Sequence, residues 1–236
     1  MTEHTARAFD ADLSELARKV GEMRLLDEKQ IRGAIDALEK HDLALAKLVV
    51  AADDQVDALQ REIEEKAVAT IARRQPVAID LREIVGTLRI ANDLERIGDL
   101  AENIAKRVLL AGDVVPPVAV MLQLRRMADL VLSQLGQVTQ SYDRRDTATA
   151  LAVWRKDDEI DALHSSLFRE LLTYMIENPQ NITFSTHVLF CSKNLERMGD
   201  HATNIAETIY YIVEGQPMAE ERPKADVTSR GSLLSA

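Results

Sequence analysis

One acidic phrase occurs twice in this chain. Asn92 to Ile104 reads NDLERIGDLAENI, and Asn194 to Ile205 reads NLERMGDHATNI, with Glu95 and Glu196 standing 101 positions apart. A second pair precedes it: HDLALAKLVVAADDQVDAL from His41 matches RDTATALAVWRKDDEIDAL from Arg145 at an offset of 104. The connection between the two matched segments is therefore three residues shorter in the second half, a change that a loop absorbs. Long helices share a vague heptad pattern by chance, but they do not preserve DDxxDAL and LERxGD in the same order. The chain is a duplication, and whatever the first half folds into, the second half must fold into also.

Each half reads as three helices. From 7 to 39 the apolar residues Phe9, Leu13, Leu16, Val20, Met23, Ile31, Ile35 and Leu38 recur at helical spacing and line one stripe. After the polar break at Lys40-His41-Asp42, Asp42 is placed to cap a second helix over 43–74, because its carboxylate can accept from the unpaired N–H groups of the first turn. Pro76 biases Gln75 away from the α region and opens a third helix over 77–110. Gly112, Pro116 and Pro117 then break the pattern. The second half repeats the order with helices over 118–142, 147–177 and 181–213, Asp146 capping the middle one and Asn178-Pro179 separating it from the last. The expected organisation is all-α: a three-helix bundle over 1–111, a linker over 112–117, a second three-helix bundle over 118–214 and a flexible tail over 215–236.

Composition agrees with that architecture. Aromatic residues are 4% of the chain, so the core must be built from Leu, Ile, Val, Met and Ala, which suits packed helices. The net charge of −10 argues against a nucleic-acid-binding surface, and Arg73-Arg74 and Arg125-Arg126 read as solvated helix faces. Cys191 is the sole cysteine, which excludes an intrachain disulfide, and its neighbours Leu189 and Phe190 suggest a packed thiol. The N-terminal MTEHTARAFDADLSEL lacks the apolar core of a signal peptide, and no apolar run has the length of a membrane helix, so a cytoplasmic location is expected.

Helical geometry gives the acidic phrase a location. Asp53 and Asp57 lie one turn apart on the second helix, as do Glu95 and Asp99 on the third. Asp53 and Asp99 are each 23 residues from Pro76, and Asp57 and Glu95 are each 19, so an antiparallel hairpin sets the two acidic turns opposite one another. Asp157, Asp161, Glu196 and Asp200 are symmetric in the same way about Asn178-Pro179. On the third helix Glu95, Asp99 and Asn103 fall on the side away from Ile97, Ile104 and Val108, which implies acids that are reachable without opening the core. Four carboxylates at one level repel unless protonated, hydrated or neutralised by a cation, and hard oxygen donors suit Mg, Mn, Fe or Ca, with Zn admissible. The competing reading is an ordinary ion-pair surface, with Arg96 and Arg197 neutralising their neighbours. Asn103 and Asn204 recur and could supply amide oxygens or support the ligands; His201 follows Asp200, but the first half has Leu100 there. Gly98 and Gly199 are read as points of close helix approach, and Trp154, aligned with Val50, as a packing residue.

The phrases RRQPVAIDLR, NDLERIGDLAENIA and KNLERMGDHATNIAE, with DDQVD and DDEID, resemble the PhoU family of phosphate-signalling proteins over residues 8 to 215. The resemblance implies two three-helix bundles, homodimerisation and cytoplasmic negative regulation of phosphate uptake. It implies contacts with the ATPase component of a phosphate ABC transporter and with a sensor histidine kinase, membrane association only through those partners, and no enzymatic activity. It also implies divalent or trivalent metal ions at the paired acidic motifs, carried here by Asp53, Asp57, Glu95 and Asp99 and by Asp157, Asp161, Glu196 and Asp200. A metal-stabilised scaffold and a metal-dependent phosphoryl-transfer enzyme are the alternatives.

Overall fold

A computed structural model describes residues 2–110, 117–156 and 158–219. Its elements are α1 (Thr2–Lys40), α2 (Leu43–Arg74), α3 (Ile79–Leu110), α4 (Val118–Arg144), α5 (Thr147–Trp154), α6 (Asp158–Glu177), a short 3-10 turn (Pro179–Asn181) and α7 (Ile182–Glu214). Helices α1, α2 and α3 pack on one another, and α4, α5/α6 and α7 do the same, giving two bundles of three helical segments each. Most of the expected linker and tail, and Asp157, lie outside the described residues.

The helix starts are set by the side chains that the sequence offers. Asp42 accepts from the N–H groups of Ala44 at 3.0 Å and Leu45 at 2.9 Å, and Asp146 accepts from Ala148 at 3.0 Å and Thr149 at 3.2 Å. Gln75 closes α2 in the left-handed region at φ 48°, Ala78 follows at φ 50°, and α3 begins two residues later than Pro76 alone suggests. Gly215 ends α7 at φ 74°, a conformation natural to glycine, and its N–H reaches the Tyr211 carbonyl at 3.0 Å. Met218, in the stretch read as tail, packs against the core.

One expected helix is two. The 147–177 segment breaks after Trp154, with Arg155 and Lys156 in a turn, whereas its counterpart α2 runs unbroken. The break coincides with an indole where α2 has Val50: Trp154 is fully buried and its Nε1–H donates to Glu207 Oε1 on α7 at 2.9 Å. Cys191 is buried too, and burial pushes its thiol up to about 12.

The buried apolar residues of both bundles form one contiguous cluster, because α3 lies against α7 along their length. The pairing is antiparallel: Gly86 faces Ile212, Asp93 bonds His201 and Asn204, and the Arg107 guanidinium stacks 4.0 Å from the Phe190 ring. A second contact joins α1 to α4, where Arg125 holds Asp36 at 2.7 Å and also Glu39. No described helix is long and apolar enough to cross a membrane.

Gly86 marks the tightest point of this seam. A Cβ there would lie 2.4 Å from both Cδ1 and Cγ1 of Ile212, so α3 and α7 meet at a distance only glycine permits. Gly86→Ala should destabilise the protein by about 1–3 kcal/mol through overpacking. In chemical denaturation, Ile212→Val in the same chain should recover part of that loss; a Gly86→Ala midpoint equal to wild type would contradict the contact.

Candidate metal centre

The first-half hairpin register places acids from different helices at one level. Asp53 on α2 and Asp99 on α3 come together with Glu102, one carboxylate oxygen from each lying within 4.8 Å of the others, and all three are half-buried. Asp57 and Glu95 occupy the next turn, near enough that the Asp57 charge helps raise the Glu95 pKa. Arg96 is exposed and reaches in from the rim, its Nη1 3.1 Å from Asp99 Oδ2 and its Nε 3.5 Å from Glu95 Oε2. Asn103 is exposed as well.

The third wall of this site comes from α1, which the paired motifs do not mention. Asp27 is fully buried, and neither of its carboxylate oxygens has a hydrogen-bond partner among the described residues. Gln30 lies one turn further on, donating through Nε2 toward Asp53 Oδ1 at 3.5 Å while its own Oε1 is buried without a partner. These groups converge on Gly98. The place a Cβ would take there lies 3.2 Å from Gln30 Oε1, 3.3 Å from Asp27 Oδ1 and 3.4 Å from Asp53 Oδ1. Gly98 was expected to allow close helix approach; what it leaves room for is a niche of three oxygens.

Electrostatics follow from this crowding. Burial, and then the charges of Asp53, Glu28 and Glu95, hold the Asp27 carboxyl well above the usual carboxylate range. Asp53 is pushed up to about 6 by burial and by Glu102 and Asp99, against the lowering effect of the Gln30 hydrogen bond. Glu95 is raised by burial and by Asp99. A carboxyl that prefers its proton in the folded state stabilises the fold most at low pH. That contribution should be lost as pH rises from about 4, where Asp53 titrates when unfolded, through about 6, where it titrates when folded. In chelator, the stability difference between wild type and Asp53→Asn should open over this window, with wild type losing ground, and added Mn²⁺ should reverse it. Parallel thermal-denaturation profiles for the two proteins across the window would refute the assignment.

The donor set fits a hard cation. Carboxylate oxygens clustered on three helices, orphaned buried oxygens and a glycine niche that a side chain would fill could hold a Mg, Mn, Ca or Fe ion, Mg–O and Ca–O distances being about 2.0–2.6 Å.

The second half departs from this pattern. Asp157 lies outside the described residues, Asp200 is half-buried, and Asp161 and Glu196 are buried rather than reachable at the surface. The face opposite one apolar stripe is not solvent in a three-helix bundle, because the third helix roofs it. Lys193 Nζ donates to Glu196 Oε1 at 2.8 Å, and Arg197 is exposed. His201 and Asn204 turn toward the other half: His201 Nδ1 lies 2.8 Å from Asp93 Oδ1, and Asn204 Nδ2 donates toward the same oxygen at 3.5 Å. Gly199 does serve close packing, with Ile160 Cδ1 only 2.9 Å from its would-be Cβ.

Asp27, Glu102 and Asp93 were passed over by sequence reasoning because none recurs. At the same offsets the second half has Val131, Thr203 and Asn194. Gln30 does recur, as Gln134, and that was the available signal.

Comparison with known proteins places the architecture. Residues 20–108 and 124–209 each match the family described as PhoU domain. The chain is 51% identical over 226 residues to a phosphate-specific transport system accessory protein PhoU homolog of Rhizobium meliloti, covering 96% of this chain and 95% of that one. It is 45% identical to a homolog of the same description from Caulobacter vibrioides, covering 98% and 100%. Among solved structures, PhoU from Pseudomonas aeruginosa superposes with a TM-score of 0.84 at 36% identity, over 88% of this chain and 100% of that one. The phosphate transport system regulatory protein PhoU from Streptococcus pneumoniae gives 0.82 at 28%, over 89% and 99%. With both halves matched and the relatives spanned nearly end to end, this chain belongs to the PhoU family.

Proposed function

We propose that this protein is a cytoplasmic negative regulator of phosphate uptake and of the phosphate-starvation response, acting through contacts with the ATPase component of a phosphate ABC transporter and with a sensor histidine kinase. The observation that carries this reading is the end-to-end correspondence with proteins described as accessory to the phosphate-specific transport system. The fold supports a binding role. Two bundles packed along α3 and α7 present a strongly acidic body, and a net charge of −10 favours encounter with basic partner surfaces. A homodimer would present that body twice.

Within this reading Asp53, Asp99 and Glu102 would hold a hard cation, with Asp57 and Glu95 at the adjacent level. The ion would supply positive charge where carboxylates from α2 and α3 repel, so its binding would tie those helices together and change the field a partner meets. Glu95 and Asp99 also meet Arg96 at the rim, which links the inner cluster to the exposed face. A regulator of this kind must bind its partners differently in different states.

The test is affinity capture of the tagged full chain from its native host grown in high and low phosphate, each with and without chelator. Recovery of the transporter ATPase and the kinase should depend on phosphate supply. Capture of neither protein under any of the four conditions would remove the reading.

A further inference from the structure

The duplication supplies a built-in comparison between the two candidate sites. Gln30 and Gln134 occupy equivalent places, since each lies near the would-be Cβ of the equivalent glycine: 3.2 Å from that of Gly98 and 3.6 Å from that of Gly199. Around that shared amide the two niches diverge. In the first half the other atoms facing the glycine are carboxylate oxygens of Asp27 and Asp53. In the second half the nearest atom among the described residues, which do not include Asp157, the counterpart of Asp53, is a methyl of Ile160, and Asp27 is replaced by the fully buried Val131.

Charge diverges in the same direction. The first half gathers Asp27, Asp53, Asp57, Glu95, Asp99 and Glu102. At the equivalent positions the second half substitutes valine for Asp27 and threonine for Glu102, and it places Lys193 where the first half has Asn92. Lys193 bonds Glu196, one of the remaining carboxylates, at 2.8 Å. This partly exposed ammonium competes with any metal for the same oxygen.

Asp27 supplies the independent observation. A carboxyl with both oxygens buried and without hydrogen-bond partners among the described residues is unfavourable in a protein interior unless protonated or met by a cation. It faces the oxygen niche at Gly98, behind the half-buried Asp53, Asp99 and Glu102.

We propose that the duplicated site is loaded unequally: the first half is the tight cation site, with Asp27 as its innermost ligand, and the second half is weakened by an apolar floor and by Lys193. This rests on the cation reading above and extends it in two ways: it adds a ligand from α1 and it assigns the two halves different occupancies. In the intact protein the first-half site therefore responds at cation concentrations too low to load the second.

The probe is Mn²⁺ added to the chelator-stripped full chain, with free Mn²⁺ followed by its electron paramagnetic resonance signal. Wild type should show a tight class of sites that survives Glu196→Gln with Asp200→Asn and disappears in Glu95→Gln with Asp99→Asn. Asp27→Asn, which keeps the shape, and Asp27→Val, which copies the second half, should each weaken that class at least tenfold while leaving the far-ultraviolet circular dichroism unchanged. Val131→Asp with Lys193→Asn should tighten the second class. Two equally tight classes in wild type, loss of the tight class on changing Glu196 and Asp200, or unaltered affinity in both Asp27 variants would overturn the unequal loading and leave the cation reading standing. No Mn²⁺ uptake by wild type at any concentration would overturn both.

Discussion

With Glu95 and Asp99 both changed to lysine, the chelator-stripped protein should lose at least about 100-fold in Mn²⁺ affinity at the first-half site, equivalent to about 3 kcal/mol. The two residues lie one turn apart on α3, so both new ammonium groups enter the cluster from the same side. Local charge changes by four, and each lysine can meet carboxylates of Asp53, Asp57 or Glu102 that otherwise repel one another. The variant therefore carries its own counter-ions. Helical content should stay within a few per cent of wild type, because neither side chain is fully buried and a lysine stem can lie along the groove with its head toward water. Mn²⁺ titration followed by paramagnetic resonance, with circular dichroism as the folding control, measures both quantities. Unchanged Mn²⁺ uptake by the folded double variant would mean that these acids hold no cation.

The largest effect on stability should come from Trp154. Its indole is fully buried at the end of α5, and its Nε1–H is committed to Glu207 on α7. Trp154→Ala should cost about 3–5 kcal/mol in lost burial and cavity, and it strips the Glu207 carboxylate of that donor. Trp154→Phe refills most of the volume without the N–H, so its loss should be nearer the value of one hydrogen bond to a charged group, about 1.5–3 kcal/mol. The order wild type, phenylalanine, alanine is the informative result. Because Trp154 is the only tryptophan, unfolding has to be followed by circular dichroism, and in a chain of this size the alanine variant should melt on the order of 10 °C lower. An alanine variant within about 1 kcal/mol of wild type would show that α5 is not held by this contact.

Much of the fold was legible because its determinants are local or repeated. Asp42 and Asp146 cap helices where their side-chain chemistry requires it, and the offset between the two copies of LERxGD announced two bundles. The level of Asp53 with Asp99 followed from counting residues on either side of Pro76. What escaped depended on a third element. A wheel drawn for α3 alone turns Glu95 away from the apolar stripe but cannot show that α1 closes over it, and the same omission hid the burial of Asp161 and Glu196. The helix break after Trp154 escaped because periodicity on either side of it is helical, while the hydrogen bond from the indole to Glu207 beside it is tertiary. Asp27 and Glu102 escaped because recurrence was the filter, and a filter for sameness discards the residues that distinguish two copies.

The antiparallel seam of α3 on α7 has a consequence for how those copies came to differ. It joins like to like: each half contributes its own version of the same helix, running opposite to the other, which is the contact two identical half-length chains would make about a twofold axis. In such a symmetric pair every substitution appears twice, so a histidine facing an aspartate on one side demands the same pair on the other. Covalent fusion lifts that constraint. His201 can bond Asp93 while the reciprocal positions hold Leu100 and Asn194, and one half can hold a buried acid where its sister has valine.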